Sequence, residues 1–187
     1  MRRGSFINLK NTSPNKKLEV NDILPVLIHE TAHQILLQDD QLVKNTNTNF
    51  KNVEYKNEFK VKQKDCGPNY YLKEGCSRDT SMINRFYQKF WLENWEEYNS
   101  IQNIQNDENF RSEMLEFYQK YTDSFISENA FFSPEEDFAE SFRYFILSPK
   151  PFESKTKYQK LLFFYEFDEL KNLRQEVRGK MLLIDNL

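Results

Sequence analysis

Glycine and proline are scarce, with four Gly and six Pro in 187 residues. Collagen-like and Gly/Pro-rich disordered classes are thereby excluded. There is no basic excess either: 26 Lys and Arg face 29 Asp and Glu, a formal net charge of -3. Nothing in that balance is suited to neutralising a phosphate backbone, so no nucleic-acid partner is expected. Long apolar runs are missing. The longest, Ile23 to Ile28, is six residues and contains Pro25, whereas a membrane span needs about 20. No integral membrane segment is expected. Met1-Arg2-Arg3-Gly4 is followed by no apolar stretch of signal-peptide length, since Phe6 to Leu9 is short and interrupted. The sequence as given therefore carries no export signal, although a trimmed form of a longer precursor would read the same way.

Cysteine is limited to Cys66 and Cys76, ten residues apart beside Gly67-Pro68 and Gly75. Two readings stand: a small disulfide loop suited to an oxidising compartment, or two free thiols in a cytosolic protein. A zinc site of their own is disfavoured, because no further Cys exists and both histidines lie elsewhere.

What is abundant is aromatic: 17 Phe and 10 Tyr within a 39% hydrophobic composition. The length suits one domain, 1-187, with a sizeable core. The first helix is expected from about Asp22, as N-cap, to Leu37, with Pro25 in its first turn. Val26, Leu27, Ile28, Ala32, Ile35 and Leu36 give it an apolar surface wide enough for a largely buried helix. Phe6 to Leu9 reads as a short strand and Asn11 to Lys17 as a polar turn. Phe50 to Lys64 alternates loosely through Val53, Tyr55, Phe59 and Val61, which predicts one or two exposed strands. Asp65 to Asp79 reads as a loop. The Asn- and Lys-rich stretch 38-79 is expected to be a surface insertion.

Further helices are predicted from Thr80 or Ser81 to Tyr98, from Asp107 to Tyr121, from Ser133-Pro134 to just before Pro149, and from Thr156 to Lys180. Their apolar residues recur at helical spacing: Met82, Phe86, Phe90 and Trp91; Phe110, Met114, Phe117 and Tyr118; Leu161, Phe164, Tyr165, Leu170, Leu173 and Val177. These stripes read as core. The expected fold class is α+β, predominantly α-helical, with a small β element on the N-terminal side.

Only two histidines occur, His29 and His33, and they enclose Glu30 in His-Glu-Thr-Ala-His. Residues four apart lie one turn apart on one helix face, so both imidazoles reach a common point. Glu30 projects from an adjacent direction, toward a water held by an ion there. Zinc lowers the pKa of such a water toward about 7, and a glutamate can take its proton. Two histidines placed at random in this length fall four apart in roughly 1% of arrangements. The alternative, two ordinary surface histidines beside a solvated Glu, leaves unexplained why every histidine sits here.

Catalytic zinc takes three protein ligands and leaves a fourth position to water. With no third His, the remaining ligand is Asp, Glu or Cys. The best candidates are Glu136 and Glu140 in Ser133-Pro-Glu-Glu-Asp-Phe-Ala-Glu140, spaced i,i+4. One carboxylate can bind the metal while the other accepts the free N–H of a ligating imidazole. The same segment also reads as a capping box, with Ser133 as N-cap, Pro134 at N1 and Glu136 at N3. On that account Glu136 serves only the Ser133 backbone.

Together these motifs resemble the gluzincin metallopeptidases, whose two His and one Glu come from two helices at variable spacing. Glu136 to Glu140, followed by Ser-Phe-Arg, is similar to the second metal helix of lethal-factor-type toxins. It is closer to bacterial zinc-binding metallopeptidases whose helix reads Asn-Pro-x-Glu-Asp-Phe-Ala-Glu, with Ser133 here in place of the Asn. The resemblance covers the two metal helices and extends more loosely over Ser81 to Trp91 and the Phe163-Phe164-Tyr165 helix. It implies a zincin-like fold, one zinc per chain held by His29, His33 and Glu136, Glu30 as general base, and Glu140 behind a histidine. It also implies a peptide or protein substrate, which Phe6 to Leu9 could bind as an edge strand.

One position departs from the pattern. Seven residues before the ligand Glu, relatives carry a tyrosine that steadies the oxyanion; here stands Asn129. Tyr121 and Tyr144 are candidate substitutes. Losing one oxyanion donor costs about 10²–10³ in rate. The expectations are therefore a zinc metalloendopeptidase or, as the alternative, a degenerate zincin that binds zinc or peptides without cutting. A blander third reading is a helical interaction module without metal. The resemblance and the two cysteines together point to an extracytoplasmic setting.

Overall fold

A computed structural model describes residues 20–45 and 54–184 of the chain. The fold is α+β and predominantly helical, as the aromatic stripes predict. The strand expected at Phe6 to Leu9 and the turn at Asn11 to Lys17 lie outside the described residues.

Helix α1 spans Val20–Leu36, so its start precedes Asp22 and Pro25 falls in the second turn, not the first. There the ring removes one backbone hydrogen bond. Ile28, Ala32 and Leu36, each one turn apart, are buried, whereas Val26 and Leu27 are 45% and 57% exposed. The expectation of a largely buried helix is corrected: α1 buries one stripe, and that stripe packs on a later helix, α6 (Pro134–Leu147).

A three-stranded antiparallel sheet follows, with β1 at Leu42–Lys44, β2 at Tyr71–Leu72, β3 at Gly75–Ser77, and order β1-β3-β2. It lies in the N-terminal half of the chain, following α1. Val43 pairs with Cys76 and Leu72 with Gly75. A Cβ at Gly75 would run into the Val43 carbonyl, so the close approach of β1 to β3 requires glycine here. The stretch 38-79 is more than surface, because Leu42, Tyr70 and Leu72 join the core.

Glu54–Cys66 is helix α2, which corrects the strand prediction for Phe50 to Lys64. Its sequence is rich in Glu, Lys and Gln, good helix formers, and the apparent alternation rests on four residues. Cys66, the last residue of α2, is disulfide-bonded to Cys76 in β3, with Cα atoms 5.6 Å apart. Of the two readings of these cysteines, the structure has the bridged one.

Ser81 caps α3 (Met82–Phe90), its side chain accepting from the Asn84 N–H. The helix predicted to continue to Tyr98 stops at Trp91, passes through a 3-10 turn at Leu92–Asn94 and resumes as α4 (Trp95–Gln102). Trp91 is 2% exposed and donates its indole N–H to Asp137, so a core contact overrides helical continuity. Helix α5 covers Asp107–Lys120, capped by the Asn106 side chain on Glu108 N and Asn109 N. The last predicted helix divides into α7 (Thr156–Phe163) and α8 (Asp168–Ile184) around a 3-10 turn at Phe164–Glu166. The turn lets the adjacent Phe163 and Phe164 both enter the core.

The core is largely aromatic. Phe86 meets Phe138 edge-on at 5.4 Å and Phe163 at 5.6 Å, and Phe138 meets Phe164 at 5.0 Å, geometries that place a positive ring edge on a negative face. Among the described residues, no helix is long and apolar enough to cross a membrane.

Candidate metal centre

His29 and His33 sit on α1 along the border between its buried stripe and the exposed one. They therefore face α6 with part of each ring open to solvent. On α6, Ser133 and Pro134 set the first turn, Glu136 follows in that turn, and Glu140 lies one turn further on.

The rotation of α6 is fixed from behind. Asp137, fully buried between the two glutamates in sequence, accepts from Trp91 Nε1 at 2.8 Å and from Lys160 Nζ at 2.5 Å. Lys160, on α7 and 1% exposed, also donates to the Ser124 carbonyl at 2.6 Å. Burial pushes the Asp137 carboxyl up and the Lys160 amine down, and their mutual attraction opposes both shifts. With Asp137 turned into the core, Glu136 and Glu140 are presented to α1.

The ligand atoms converge. His29 Nε2 lies 3.1 Å from His33 Nε2 and 3.3 Å from Glu136 Oε2, and His33 Nε2 lies 3.7 Å from Glu136 Oε1. One ligand atom from each of the three residues falls within 4.8 Å of the others. Tetrahedral ligands at about 2.0–2.1 Å from a zinc ion stand about 3.3 Å apart, which these separations fit. Two imidazoles and a carboxylate are also the donor set that suits zinc with a further position open.

His29 Nδ1 lies 2.8 Å from Glu140 Oε1, which assigns the Nδ1 proton to that contact and directs Nε2 to the cluster. Burial opposes charge on His29, but hydrogen bonds and the fields of Glu136 and Glu140 outweigh it and lift its pKa to about 9. For His33, burial prevails over Glu136, Glu30 and Glu74 and lowers the pKa. Glu140 is nearly buried, which would raise its pKa. Hydrogen bonds with His29, Ser127 and Arg143 win and hold it at about 2.

The capping reading and the ligand reading turn out to be compatible. The Glu136 backbone N–H donates to Ser133 Oγ at 3.2 Å, while the Glu136 carboxylate faces the imidazoles. Only the Ser133 half of the expected capping box is formed: the Glu136 carboxylate lies against His29 and His33 and makes no hydrogen bond to the Ser133 N–H. Glu30 is exposed and makes no hydrogen bond or ion pair with a described residue; its charge acts on His33.

Tyr121 and Tyr144, the two candidate oxyanion donors, have partners outside the cluster. The Tyr121 hydroxyl donates to Glu97, and Tyr144 lies two turns beyond Glu136, about 12 Å along α6, with its ring under Arg143. Asn129 heads the 3-10 turn Ala130–Phe132, and its side chain makes no hydrogen bond to a described residue.

The sequence reading missed three groups that hold carboxylates of α6. Ser127 Oγ donates to Glu140 Oε2 at 2.5 Å and Arg143 Nη2 to the same oxygen at 2.6 Å. The Tyr70 hydroxyl donates to Glu135 Oε2 at 2.8 Å, beside Glu136 in sequence. Arg143 could have been found from its i,i+3 relation to Glu140. Ser127 reaches Glu140, and Tyr70 reaches Glu135, through tertiary packing that leaves no local pattern. Comparison of the chain with protein-family models, curated proteins and solved structures yields no match.

Proposed function

We propose that this protein is a zinc-dependent metallopeptidase of gluzincin type. The observation that carries this reading is the convergence of His29 Nε2, His33 Nε2 and the Glu136 carboxylate, with Glu140 on the far nitrogen of His29. Zinc held by these three residues would supply a water of pKa about 7 and a Lewis acid for a peptide carbonyl. The protein's own groups have distinct tasks. Glu30, exposed on the open side of α1, takes a proton from the water and returns it to the departing amine. Glu140 holds one proton of His29 on Nδ1, so that a metal would displace the other from Nε2 and bind there. Ser127 and Arg143 hold Glu140 in its ionised form for that task. The Cys66–Cys76 bridge supports action in an oxidising, extracytoplasmic compartment.

Asn129 favours a second reading, a protein of the same construction that binds zinc or peptides without cleavage. One comparison separates them. Purified wild type and Glu30→Gln are assayed for bound zinc and for cleavage of a diverse peptide library. The peptidase reading expects one zinc in each and cleavage by wild type alone. Zinc in both with cleavage by neither supports the non-catalytic reading, and full activity in Glu30→Gln eliminates the mechanism.

A further inference from the structure

A groove of about 390 Å³ opens between α2 and α4, apart from the residues of the metal cluster. Its α2 wall carries Lys60, Gln63 and Lys64, spaced i, i+3, i+4 and so on one face. Its α4 wall carries Trp95, Asn99 and Asn103, each one turn apart. Among the described residues no carboxylate lines it, although the chain holds 29 acidic residues and a net charge of -3. We propose that this groove binds an acidic sugar residue, a pyranose bearing a carboxylate.

Three features select that chemistry. Trp95 is held by aromatic neighbours: Tyr70 and Tyr87 approach it edge-on at 5.6 and 5.2 Å, and Tyr98 lies at 5.4 Å. The indole is partly buried and lines the groove, where an apolar ring can offer a surface on which the C–H face of a pyranose packs. Its N–H has no acceptor among the described residues, in contrast to that of Trp91. Around the plate stand amides with hydrogen-bonding capacity to offer. The side chains of Gln63 and Asn99 make no hydrogen bond with a described residue, and an amide both donates and accepts, as a ring hydroxyl requires. Finally, Lys60 and Lys64 are exposed and form no ion pair with a described residue, so two ammonium groups are available to a carboxylate. A cavity of this size suits a small ligand. An acidic peptide would use the lysines but has no ring face or hydroxyl array for the α4 stripe.

The wall is anchored by the Cys66–Cys76 bridge at the end of α2. The proposal does not depend on the metal, and its test keeps the two apart. Calorimetric titration of the intact, disulfide-bonded protein is run in the presence of a chelator with D-glucuronate, D-glucose, acetate and oligo-glutamate. Glucuronate is expected to bind about tenfold more tightly than glucose or acetate. The double variant K60Q/K64Q is expected to remove the advantage of glucuronate over glucose, and Asn99→Ala to weaken both sugars. These are surface changes, and circular dichroism checks that each variant is folded. Glucuronate binding no tighter than acetate, an unaltered K60Q/K64Q, or oligo-glutamate binding more tightly than glucuronate would each overturn the proposal.

Discussion

Lys160 and Asp137 form an ion pair, Nζ to Oδ2 at 2.5 Å, in which neither side chain reaches solvent. The ammonium sits among aromatic rings, with the Phe125 centroid 4.6 Å and the Trp91 centroid 5.8 Å from Nζ. Taking both charges out of water is costly, so the pair is a weak contributor to net stability. Its consequence is geometric. Asp137 sits between Glu136 and Glu140 in sequence, and tying it to α3 and α7 leaves α6 one rotation about its axis.

Removing one partner exposes that role. Lys160→Met leaves the Asp137 charge buried with only the Trp91 N–H and the Ser141 hydroxyl beside it. A loss of about 3–5 kcal/mol is expected in a denaturant titration. The double variant Asp137→Asn with Lys160→Met removes both charges and is expected to recover most of the loss. A double variant as unstable as the single would show that the hydrogen bonds, not the charge balance, hold α6.

Glu140 is expected to control zinc affinity without touching the ion. Glu140→Gln lets its amide turn an N–H toward His29 Nδ1 and disturbs the tautomer that frees Nε2. Competition with a chromophoric chelator should give affinity about 10- to 100-fold weaker than wild type. Ser127→Ala removes one of two donors to Glu140 Oε2 and should fall between the two. Unchanged affinity in Glu140→Gln would mean that the 2.8 Å contact does not orient His29.

Local patterns were readable in proportion to how local their cause is. The Ser133 cap and Pro134 stand where expected because a cap is decided within four residues. The stripes Met82–Phe86 and Met114–Phe117 are buried as their spacing requires. The four site residues on α1 and α6 were legible for the same reason, since i,i+4 spacing sets both pairs on single faces. What escaped was decided at a distance. Lys160 reads as an ordinary surface lysine until α7 packs its amine against Asp137, 23 residues away in sequence. Trp91 ends α3 because of the same carboxylate. The strand expectation for Phe50 to Lys64 rests on a few apolar residues, whereas the helix formers between them decide the conformation of Glu54–Cys66.

Alkaline pH should unfold the protein through its buried tyrosines. Burial lifts the Tyr87 hydroxyl from 10.0 to about 12, and pushes Tyr70 and Tyr98 upward too, with Glu135 adding repulsion at both. A phenol with a raised folded pKa holds its proton more tightly in the folded state than in the unfolded one. Stability is therefore full below about pH 10 and falls as pH rises from there toward 12. Equilibrium unfolding at a series of pH values checks this. Tyr87→Phe should flatten part of the decline, and a slope unchanged by that substitution would remove Tyr87 as a contributor.

The disulfide should matter for α2 and little for the metal cluster. Across residues 60–65 every side chain of α2 is exposed or partly so, with Val61 60% exposed, and Phe59 packs on Tyr71 with ring centroids 5.0 Å apart. The part of α2 described by these residues buries little beyond Phe59 and Cys66, so it leans on the covalent tie at its end. Closing a loop of sequence separation 10 contributes about 2–3 kcal/mol in the chain-entropy account. The variant C66S/C76S should lose about that much. In hydrogen exchange, protection should fall over residues 59–66 well before α1 and α6. Zinc affinity should stay as in wild type, because His29, His33 and Glu136 are positioned by α1, α6 and the Asp137 ties. Zinc lost together with the bridge would instead mean that the sheet, through Glu74 beside His33, takes part in shaping the site.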